Sequence, residues 1–368
     1  MKTKFGGEIA ENFKAEDFID AKEARRSDVF IRYAAAAAVL ALKDSGFEIS
    51  SKNEHLIGSY IGSGIGGIQT FVDNVIAYRE KGPSRVSPFF VPSMVPNMAA
   101  GYVSIFNNLK GPNCATATAC AAGAHAIAYA AMNIQRGDAI AMIAGGAEAP
   151  LVHVAISGFN VMRAISTRNE DPKAASRPFD RDRDGFVMAE GSTVLILESE
   201  ESAKNRDAKI YGYVIGYGST TDAHHITAPA EGGEGAVRAM NKALKNANLS
   251  MDDVDYINAH GTSTPANDKN ETTAIKTLFG TKAYEVDISS TKSMTGHLLG
   301  GAGAYESMVC ILSLQNGVIP PTINLNTKDD ECDLNYTPNT ALEKEVRTAM
   351  SNSFGFGGHY AVLLFSNI

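Results

Sequence analysis

The sequence predicts a layered α/β fold. Short apolar runs typical of buried strands, such as residues 139–144 and 254–258, alternate along the chain with segments of helical periodicity. Hydrophobic residues make up 44% and charged residues 20% of the 368 residues, which provides material for a large core and excludes a disordered chain. The 34 glycines lie in clusters, which indicates tight turns and close backbone approaches. We therefore expect one large domain or two medium domains.

The first half begins with helices and one strand. Residues 31–45 are rich in alanine, the strongest helix former, and Gly46 is a typical C-terminal cap, so a helix is predicted there. Residues 55–61 are an apolar run typical of a strand, and residues 68–80 again show helical periodicity. Prolines between residues 83 and 96 predict a loop, because proline interrupts both helices and strands.

Two further strands are predicted at residues 139–144 and 193–197, which are continuous apolar runs. Between them, residues 168–185 contain five basic and five acidic side chains and two prolines, which predicts a surface loop without net charge. Residues 113–135 carry no charge and are long enough to span a bilayer, but their apolar character comes mainly from alanine, which inserts weakly. We interpret this stretch as a buried helix with its approach segment.

The second half repeats the pattern. Residues 210–217 alternate as a strand, and the apolar positions of residues 236–247 mark one face of a helix. Residues 254–258 and 286–290 are predicted buried strands, each followed by a polar cluster. Residues 348–365 form two apolar runs around glycines, which predicts a closing pair of strands.

Composition and missing motifs exclude several classes of protein. The net charge of −8 argues against binding to nucleic acid or anionic membranes. Residues 1–20 contain no hydrophobic run, so no signal peptide is expected and the predicted location is the cytoplasm. The four cysteines are too few and too scattered for a disulfide framework, and no Cys-x-x-Cys pair indicates zinc. The segment Gly62–Gly67 fits G-x-G-x-x-G but lacks the second strand of a dinucleotide site, so we interpret it as close backbone packing.

Three residues are candidates for nucleophilic chemistry. Cys120 lies in a segment of small residues at the expected start of a helix, where the helix dipole would lower the pKa of its thiol. His260 and His297 each follow a predicted buried strand, the position where α/β proteins collect reacting groups. An inert buried cysteine and two structural histidines remain the alternative. The glycine-rich segment 351–359 predicts either a mobile turn that presents backbone amides or a plain hairpin.

Taken together, these segments resemble the β-ketoacyl-[acyl-carrier-protein] synthases, and most closely the synthase II type of bacterial fatty-acid synthesis. The resemblance rests on Cys120 in its small-residue turn, His260-Gly-Thr-Ser-Thr264, Lys292-Ser-Met-Thr-Gly-His297 and Asn352-Ser-Phe-Gly-Phe-Gly-Gly358. Three further segments match, namely 177–180, 184–191 and 267–272. The resemblance implies a thiolase-like fold of two similar α/β halves, 1–205 and 206–368, packed as layers α-β-α-β-α. It also implies a cytoplasmic homodimer that needs no cofactor.

The resemblance implies an elongating acyltransferase whose partner is acyl carrier protein. Cys120 would take an acyl group as a thioester, and the enolate formed by decarboxylation of malonyl-carrier protein would attack it. His260 and His297 would donate hydrogen bonds to the malonyl thioester oxygen.

The implied supporting roles fall to other residues of the same motifs. Lys292, paired with Glu306, would set the electrostatics around His297, and Phe356 would act as a gate and contribute to the oxyanion hole. Thr262 and Thr264 would bind the phosphopantetheine arm. Acyl-pocket positions would be Ile65, Phe90 and Phe159, and a monovalent cation could lie near Asn258, Glu306 and Asn352.

The sequence departs from the family pattern in three places. The family opens with a valine-rich strand, central in its first sheet, and a Trp-bearing helix that have no counterpart here. We expect either a truncated chain with a gap in that sheet and exposed strand edges, or another segment that fills the gap. The segment 114–120 differs from the usual serine-rich form, and His359 stands where asparagine is common.

Several alternatives stay open. A polyketide ketosynthase shares the motifs, a non-catalytic chain-length-factor-like partner would fit the short start, and a coenzyme A thiolase fits less well because its second cysteine has no counterpart. Carrier proteins are acidic, so a local basic patch is expected despite the net negative charge. The candidates for it are Lys22, Arg25, Arg26, Lys81 and Arg85.

Overall fold

A computed structural model describes residues 1–367. Its helices are α1 (Ala21–Arg26), α2 (Val29–Ser45), α3 (Ile68–Lys81), α4 (Phe90–Met94), α5 (Met98–Asn107), α6 (Ala122–Gln135), α7 (His153–Val161), α8 (Glu200–Asn205), α9 (Glu234–Ala247), α10 (Pro265–Phe279), α11 (Lys292–Thr295) and α12 (Ala302–Asn316). Its strands are β1 (Ile57–Gly62), β2 (Asn113–Cys114), β3 (Ala141–Glu148), β4 (Gly191–Glu198), β5 (Tyr213–Thr221), β6 (Tyr256–Asn258), β7 (Asp287–Ser289), β8 (Val318–Ile319), β9 (Leu342–Glu343), β10 (Thr348–Gly355) and β11 (His359–Ser366). Within these residues, each helix is too short or too polar to cross a bilayer.

The strands form two main sheets, one from each half of the chain. The first has the order β2-β1-β3-β4, in which β1 pairs in parallel with β2 and β3, and β4 runs antiparallel to β3. The second has the order β5-β11-β10-β6-β7, with β10, β6 and β7 parallel and β11 antiparallel to both of its neighbours. Strands β8 and β9 make a separate small ladder.

Alternating side chains place each sheet between two helical layers. In β3, Ile143 packs towards α2 and α5, whereas Met142 and Ala144 point to the opposite face. In β10, Ala349 shares the cluster of Met142, while Met350 packs with α9 and α10. The helices α6 and α12 therefore lie between the two sheets, and the layers follow the order α-β-α-β-α.

The two central helices approach each other through their smallest residues. A Cβ on Gly123 of α6 would lie 3.0 Å from the backbone nitrogen of Ala304 in α12. A Cβ on Gly303 would lie 2.8 Å from the Cβ of Ala124. Glycine is required at these positions because backbone and Cβ atoms of the neighbouring helix occupy the space. The two helices of the central layer are consequently in close backbone contact.

Most predicted elements are present with shifted ends. The predicted helix 31–45 is α2, which ends at Gly46 with a φ of 59°. The predicted strand 210–217 begins later, at Tyr213, and continues to Thr221 because it pairs with β11 over that length. The proline-rich loop 83–96 contains the short helix α4, and Pro92 is the third residue of this helix. Proline is tolerated there because the first turn of a helix does not use its amide hydrogens.

The segment 168–185 is not a plain surface loop, contrary to the prediction. Phe179 and Asp180 are fully buried, and Arg177 and Arg183 are nearly so. Arg183 bonds Asp329 at 2.5 Å and lies 3.7 Å from Asp268 of α10. Arg183 is therefore buried in ion pairs with the second half, and Arg177 lies 3.5 Å from Asp180 within the segment. The other charged side chains of the segment lie nearer the surface, and six of them are exposed, namely Glu170, Asp171, Lys173, Arg181, Asp182 and Asp184.

The expected gap at the centre of the first sheet is absent. Strands β1 and β3 pair directly over the whole of β1, from Ile57 with Ala141 to Gly62 with Gly146. Strand β4 forms one edge of this sheet, and α2 packs against it. The centre of the sheet is therefore continuous.

Candidate active site

A single cavity collects most of the predicted site residues from both halves of the chain. Its volume is about 540 Å³. The residues of the predicted site that line it are Ile65, Cys120, Phe159, His260, Thr262, Thr264, His297 and Phe356. Phe90 does not line this cavity, since it lies at the start of α4 with its ring 6.3 Å from that of Phe71.

Cys120 lies in a strained turn that leads into the central helix α6. It is the middle residue of a single 3₁₀ turn, Ala119–Ala121, and Ala119 has a φ of 49°, which is rare for a residue with a Cβ. The backbone approaches closely from the opposite side, because a Cβ on Gly355 would lie 2.4 Å from the carbonyl oxygen of Thr118 and 3.3 Å from the amide nitrogen of Cys120. Cys120 and the glycine-rich segment are thus in direct contact.

The pKa of the Cys120 thiol is shifted in the direction opposite to the prediction. Side chains around the cavity desolvate the thiol and raise its pKa to about 12, although the positive charge of Lys292 lowers it in part. The buried carboxyl groups of Glu148 and Glu306 add to the increase. Cys120 therefore rests as a neutral thiol and needs a base when it reacts.

His260 is held in one orientation and one tautomer. It follows β6, and its backbone N–H and that of Gly261 donate to the carboxylate of Glu271, both at 2.8 Å. Its Nδ1 lies 3.4 Å from Nζ of Lys292, an ammonium group that can only donate. Nδ1 therefore accepts, the ring proton is on Nε2, and Nε2 is a hydrogen-bond donor. Burial and the charge of Lys292 lower the pKa of His260 well below its usual value, so the ring is neutral.

Lys292 is a fully engaged buried cation. Besides the bond to Nδ1 of His260, it donates to the carbonyl oxygen of His260 at 2.6 Å and to Oε1 of Glu306. Side chains of Lys292 and Glu306 are both only 2% exposed. The ion pair with Glu306 is present, but the hydrogen bonds of Lys292 go to His260 and not to His297. Lys292 acts on His297 through its charge alone.

His297 has free ring nitrogens. Its backbone N–H donates to the carbonyl of Val187 at 2.7 Å, which fixes the main chain, but within residues 1–367 neither Nδ1 nor Nε2 has a partner. The imidazole rings of His260 and His297 are perpendicular, with centroids 5.5 Å apart, and Phe186 covers His297 at 5.2 Å. Burial lowers the pKa of His297 well below its usual value, so it too is neutral. A neutral imidazole with two free nitrogens can accept one proton and donate another.

The glycine-rich segment and two threonines complete the cavity wall. Phe356 is half-buried in the turn between β10 and β11, and Phe354 packs against His260 with ring centroids 5.4 Å apart. The hydroxyls of Thr262 and Thr264 are 2.9 Å apart, and Thr264 caps α10. These groups line the side of the cavity formed by the second half.

Three buried oxygen atoms behind His260 lack hydrogen-bond donors in the described part of the chain. They are Oδ1 of Asn258, Oε2 of Glu306 and Oδ1 of Asn352. The amide nitrogen of Asn352 donates to Glu271 at 3.1 Å. Burial raises the pKa of Glu271 and of Glu306 to about 7 in each case. A set of hard oxygen atoms without donors is the kind of environment that binds a cation.

Sequence reasoning assigned no role to several residues of this site. Glu271 orients His260. Phe354 packs against His260, and Phe186 packs against His297. Glu148 lies beneath the Gly62–Gly67 turn. Glu271 was inside a matching segment, and its helical neighbours Asn267 and Asn270 are also polar. A buried carboxylate that accepts backbone amides has no signature in hydrophobic periodicity.

Comparisons with known proteins agree with this geometry. The family profile "Beta-ketoacyl synthase, N-terminal domain" matches residues 1–203, and "Beta-ketoacyl synthase, C-terminal domain" matches residues 211–326. The chain belongs to the beta-ketoacyl synthase family. It is an acyltransferase-class condensing enzyme with a thiolase-like fold.

Individual relatives in the beta-ketoacyl synthase family are similar over nearly the whole chain. A 3-oxoacyl-[acyl-carrier-protein] synthase 2 of Staphylococcus aureus is 54% identical over 98% of this chain and 89% of its own length. One of Synechocystis sp. is 52% identical over 98% of this chain and 87% of its own length. Among solved structures, a beta-ketoacyl synthase from Burkholderia phymatum STM815 has a TM-score of 0.93 at 36% identity, covering 100% of this chain and 89% of that chain.

A second solved structure belongs to a different pathway. It is a type II polyketide synthase acyl-carrier protein in complex with its ketosynthase bound to the hexaketide. The TM-score is 0.92 at 34% identity, and the match covers 100% of this chain and 89% of that chain. The identity to this structure is well below that to the fatty-acid synthases.

Proposed function

We propose that this chain is an elongating β-ketoacyl-[acyl-carrier-protein] synthase of type II fatty-acid synthesis, acting in the cytoplasm. The observation that carries the proposal is that Cys120, His260 and His297 line one cavity, with the histidines neutral and Nε2 of His260 a donor. The 54% identity to a curated synthase 2 supports the fatty-acid pathway over the polyketide alternative. A complete set of reacting groups also argues against a non-catalytic partner.

In the first half-reaction, Cys120 exchanges its proton for an acyl group. The free ring nitrogen of His297 takes the thiol proton, because Nδ1 of His260 is already an acceptor from Lys292. The thiolate sulfur attacks the carbonyl carbon of acyl-carrier protein, and the carbon–sulfur bond to the phosphopantetheine breaks. The released thiolate takes the proton back from His297. Backbone N–H groups of Cys120 and Phe356 would stabilise the oxyanion of the tetrahedral intermediate.

In the second half-reaction, the histidines act on malonyl-carrier protein. Carbon dioxide leaves, and the electron pair of the broken carbon–carbon bond forms an enolate whose oxygen accepts from Nε2–H of His260 and from an N–H of His297. The enolate carbon then attacks the thioester on Cys120, the carbon–sulfur bond breaks, and the Cys120 thiolate that departs takes up one proton from solvent. Two neutral donors suit this step, since a protonated histidine would quench the carbanion.

Intact-protein mass tests the proposal. We expect the wild-type chain, mixed with acyl-loaded carrier protein, to gain the mass of one acyl group, and Cys120→Ala to gain none. Addition of malonyl-carrier protein to the acylated chain should return the free enzyme and a product two carbons longer. A chain that is folded but gains no acyl mass would refute the proposal. Trials with chains of different length and branching would distinguish it from a polyketide ketosynthase.

We also propose that a monovalent cation binds between Asn258, Glu306 and Asn352. Each of the three residues has a buried oxygen atom without a donor among the described residues, which is the ligand type that such an ion prefers, and the charge of the ion would offset the two nearby carboxyl groups of Glu271 and Glu306. The midpoint of thermal unfolding should rise when potassium or sodium replaces tetramethylammonium at constant ionic strength. An equal midpoint in all three salts would refute this site.

The docking site for carrier protein is proposed at the basic surface of α1. Lys22 and Arg25 are exposed there, as are Lys81 and Arg85 across the adjacent surface, whereas Arg26 lies 4.7 Å above the ring of Phe89. We therefore test the patch by reversing Lys22 and Arg25 to Glu, which leaves the packing of Arg26 intact. Affinity for carrier protein at low salt should fall, while alkylation of Cys120 should be unchanged. Unchanged affinity would contradict the assignment.

A homodimer is proposed because one helical face is apolar and exposed. None of the described residues of α3 is buried, and Phe71, Val75 and Tyr78 of α3 are each at least 40% exposed, as is Val91 of α4. Phe90 lies beside this face, so a role for it in an acyl pocket requires the second subunit. Sedimentation should give the mass of two chains, and Val75→Asp should shift the equilibrium to the monomer. A monomeric wild type at micromolar concentration would contradict this proposal.

A further inference from the structure

A buried carboxylate connects the two walls of the cavity. Glu148 ends β3, is fully buried and accepts four hydrogen bonds. Its Oε2 receives the backbone N–H of Gly64 at 2.6 Å and that of Gly300 at 2.9 Å. Its Oε1 receives the hydroxyl of Ser63 at 2.9 Å and the backbone N–H of Ile65 at 3.1 Å.

These partners indicate that Glu148 is an acceptor at both oxygens. Burial raises the pKa of its carboxyl group, and the four hydrogen bonds oppose that increase. All four partners are donors, which is the pattern of an ionised carboxylate. Neither the mechanism above nor the family motifs use this residue.

The carboxylate occupies the place where the Gly62–Gly67 turn presents its backbone amides. In a dinucleotide site, such amides would face a phosphate. Here they face Glu148, and a Cβ on Gly64 would lie 2.8 Å from its Oε2. The glycine pattern therefore serves a carboxylate of the protein itself, which explains why the second strand of a dinucleotide site is missing.

The opposite partner, Gly300, belongs to the second half and follows a strained residue. Leu299 has a φ of 46°, a conformation that a branched side chain rarely adopts, and it lines the cavity. The surroundings must impose this conformation, and the bond from the next amide to Glu148 is one contact that does so. Ile65 and Leu299 then pack in one apolar cluster with Cys120.

We propose that Glu148 is a positioning residue that sets the shape of the acyl pocket, by holding Ile65 of the first half and Leu299 of the second half against Cys120. This inference rests on the proposed function, since the pocket must receive an acyl chain. A long chain contacts both walls, whereas a two-carbon acetyl group contacts little beyond the sulfur. Loss of the carboxylate should therefore harm long chains more than acetyl.

The decisive variant is Glu148→Gln, which keeps the shape but replaces one acceptor oxygen with an NH₂ group that opposes a backbone donor. Loss of a buried hydrogen bond to a charged group corresponds to roughly 10- to 100-fold. We expect kcat/KM for a long acyl chain to fall by about that factor and the value for acetyl to fall clearly less. An equal loss for both chains, or no loss, would overturn the proposal.

A milder variant and a matched control complete the test. Ser63→Ala removes one of the four donors and should lower the ratio of long-chain to acetyl activity in the same direction, so a folded Ser63→Ala with an unchanged ratio overturns the proposal even if Glu148→Gln does not fold. Glu190→Gln is the control, because Glu190 also accepts a hydroxyl, from Tyr33 at 2.8 Å, and a backbone N–H, from Ile9 at 3.3 Å, but neither of these partners lines the cavity, whereas Gly64 and Ile65 do. The ratio of long-chain to acetyl activity in Glu190→Gln should match the wild type. A similar shift in this control would mean that loss of a hydrogen-bonded carboxylate away from the pocket produces the same effect, which would overturn the proposal.

The wild-type measurements separate the two proposals. If the wild type transfers acyl groups and both variants keep its ratio of long-chain to acetyl activity, Glu148 does not set the shape of the pocket. The proposed function is then unaffected. A folded wild type that transfers neither acetyl nor a long chain overturns both.

Discussion

Removal of the buried cation Lys292 should separate the two half-reactions. Lys292→Met keeps the length of the side chain but leaves Glu306 without its partner and Nδ1 of His260 without its donor. Without that donor, the ring proton of His260 can move to Nδ1, and Nε2 then no longer donates to the malonyl thioester. Cys120 keeps its position, because none of its neighbours in the turn touches Lys292 through a hydrogen bond.

The expected magnitudes follow from burial. Breaking a buried ion pair by removing one partner costs about 3–5 kcal/mol. The entropy of unfolding for 368 residues is about 0.8 kcal/mol/K, so the melting midpoint should fall by roughly 4–6 °C. Removing one positioned donor to a developing oxyanion lowers the rate by about 10²–10³. Decarboxylation of malonyl-carrier protein should fall by that factor. Acylation of Cys120 should fall by less, through the loss of the charge that lowers the pKa of its thiol in part.

Two assays and a double variant test this reasoning. Release of carbon dioxide from malonyl-carrier protein reports on the histidines, and intact mass reports on acylation. Glu306→Gln alone should also destabilise the chain, but Lys292→Met with Glu306→Gln should cost less than the sum of the two, since neither charge is then left unpaired. Decarboxylation at the wild-type rate in Lys292→Met, or strictly additive losses in stability, would refute the assignment.

Three further predictions concern the nucleophile, the glycine-rich segment and the buried loop. Because burial raises the pKa of Cys120 to about 12, its alkylation by iodoacetamide, in a chain carrying Cys114→Ala, should accelerate about tenfold per pH unit from pH 7 to 10; a plateau near pH 8 would contradict the shift. Gly355→Ala should lower condensation about 100-fold with the fold retained, since its Cβ would lie 2.4 Å from a carbonyl oxygen beside the nucleophile; near-normal condensation would argue against a tight contact there. Arg183→Met should cost about 3–5 kcal/mol in denaturant unfolding because it leaves Asp268 buried without its cation, and a loss below 1 kcal/mol would show that the pair is not needed.

The sequence predicted the layers of the fold because each strand and helix carries its own local pattern. Helix α2 was recognisable from its alanines and Gly46, and the closing strands from their apolar runs around glycines. The ends of β5 were not, because they depend on pairing with β11, which lies more than a hundred residues away. The division of the chain near residue 205 stays a prediction.

The candidate site was predictable in its reacting groups and less so in its electrostatics. Cys120 and the two histidines stood out by position, but the direction of the thiol pKa was wrong because enclosure by distant segments outweighs the helix dipole. The prediction of a plain surface loop at 168–185 was wrong for a related reason, since Arg183 is buried against Asp268 and Asp329 of the other half. When a side chain is buried by segments far away in the sequence, the residues next to it in the chain do not reveal that burial.

The close contact between α6 and α12 limits how this enzyme can change. Cys120 precedes α6 and His297 precedes α12, so the contact of Gly123 with Ala304 sets the spacing between nucleophile and histidine. One added methyl group at that crossing would push the two halves apart and move the reacting atoms with them. We therefore expect changes in chain-length preference to come from substitutions at residues that line the cavity, and not from substitutions where α6 and α12 cross.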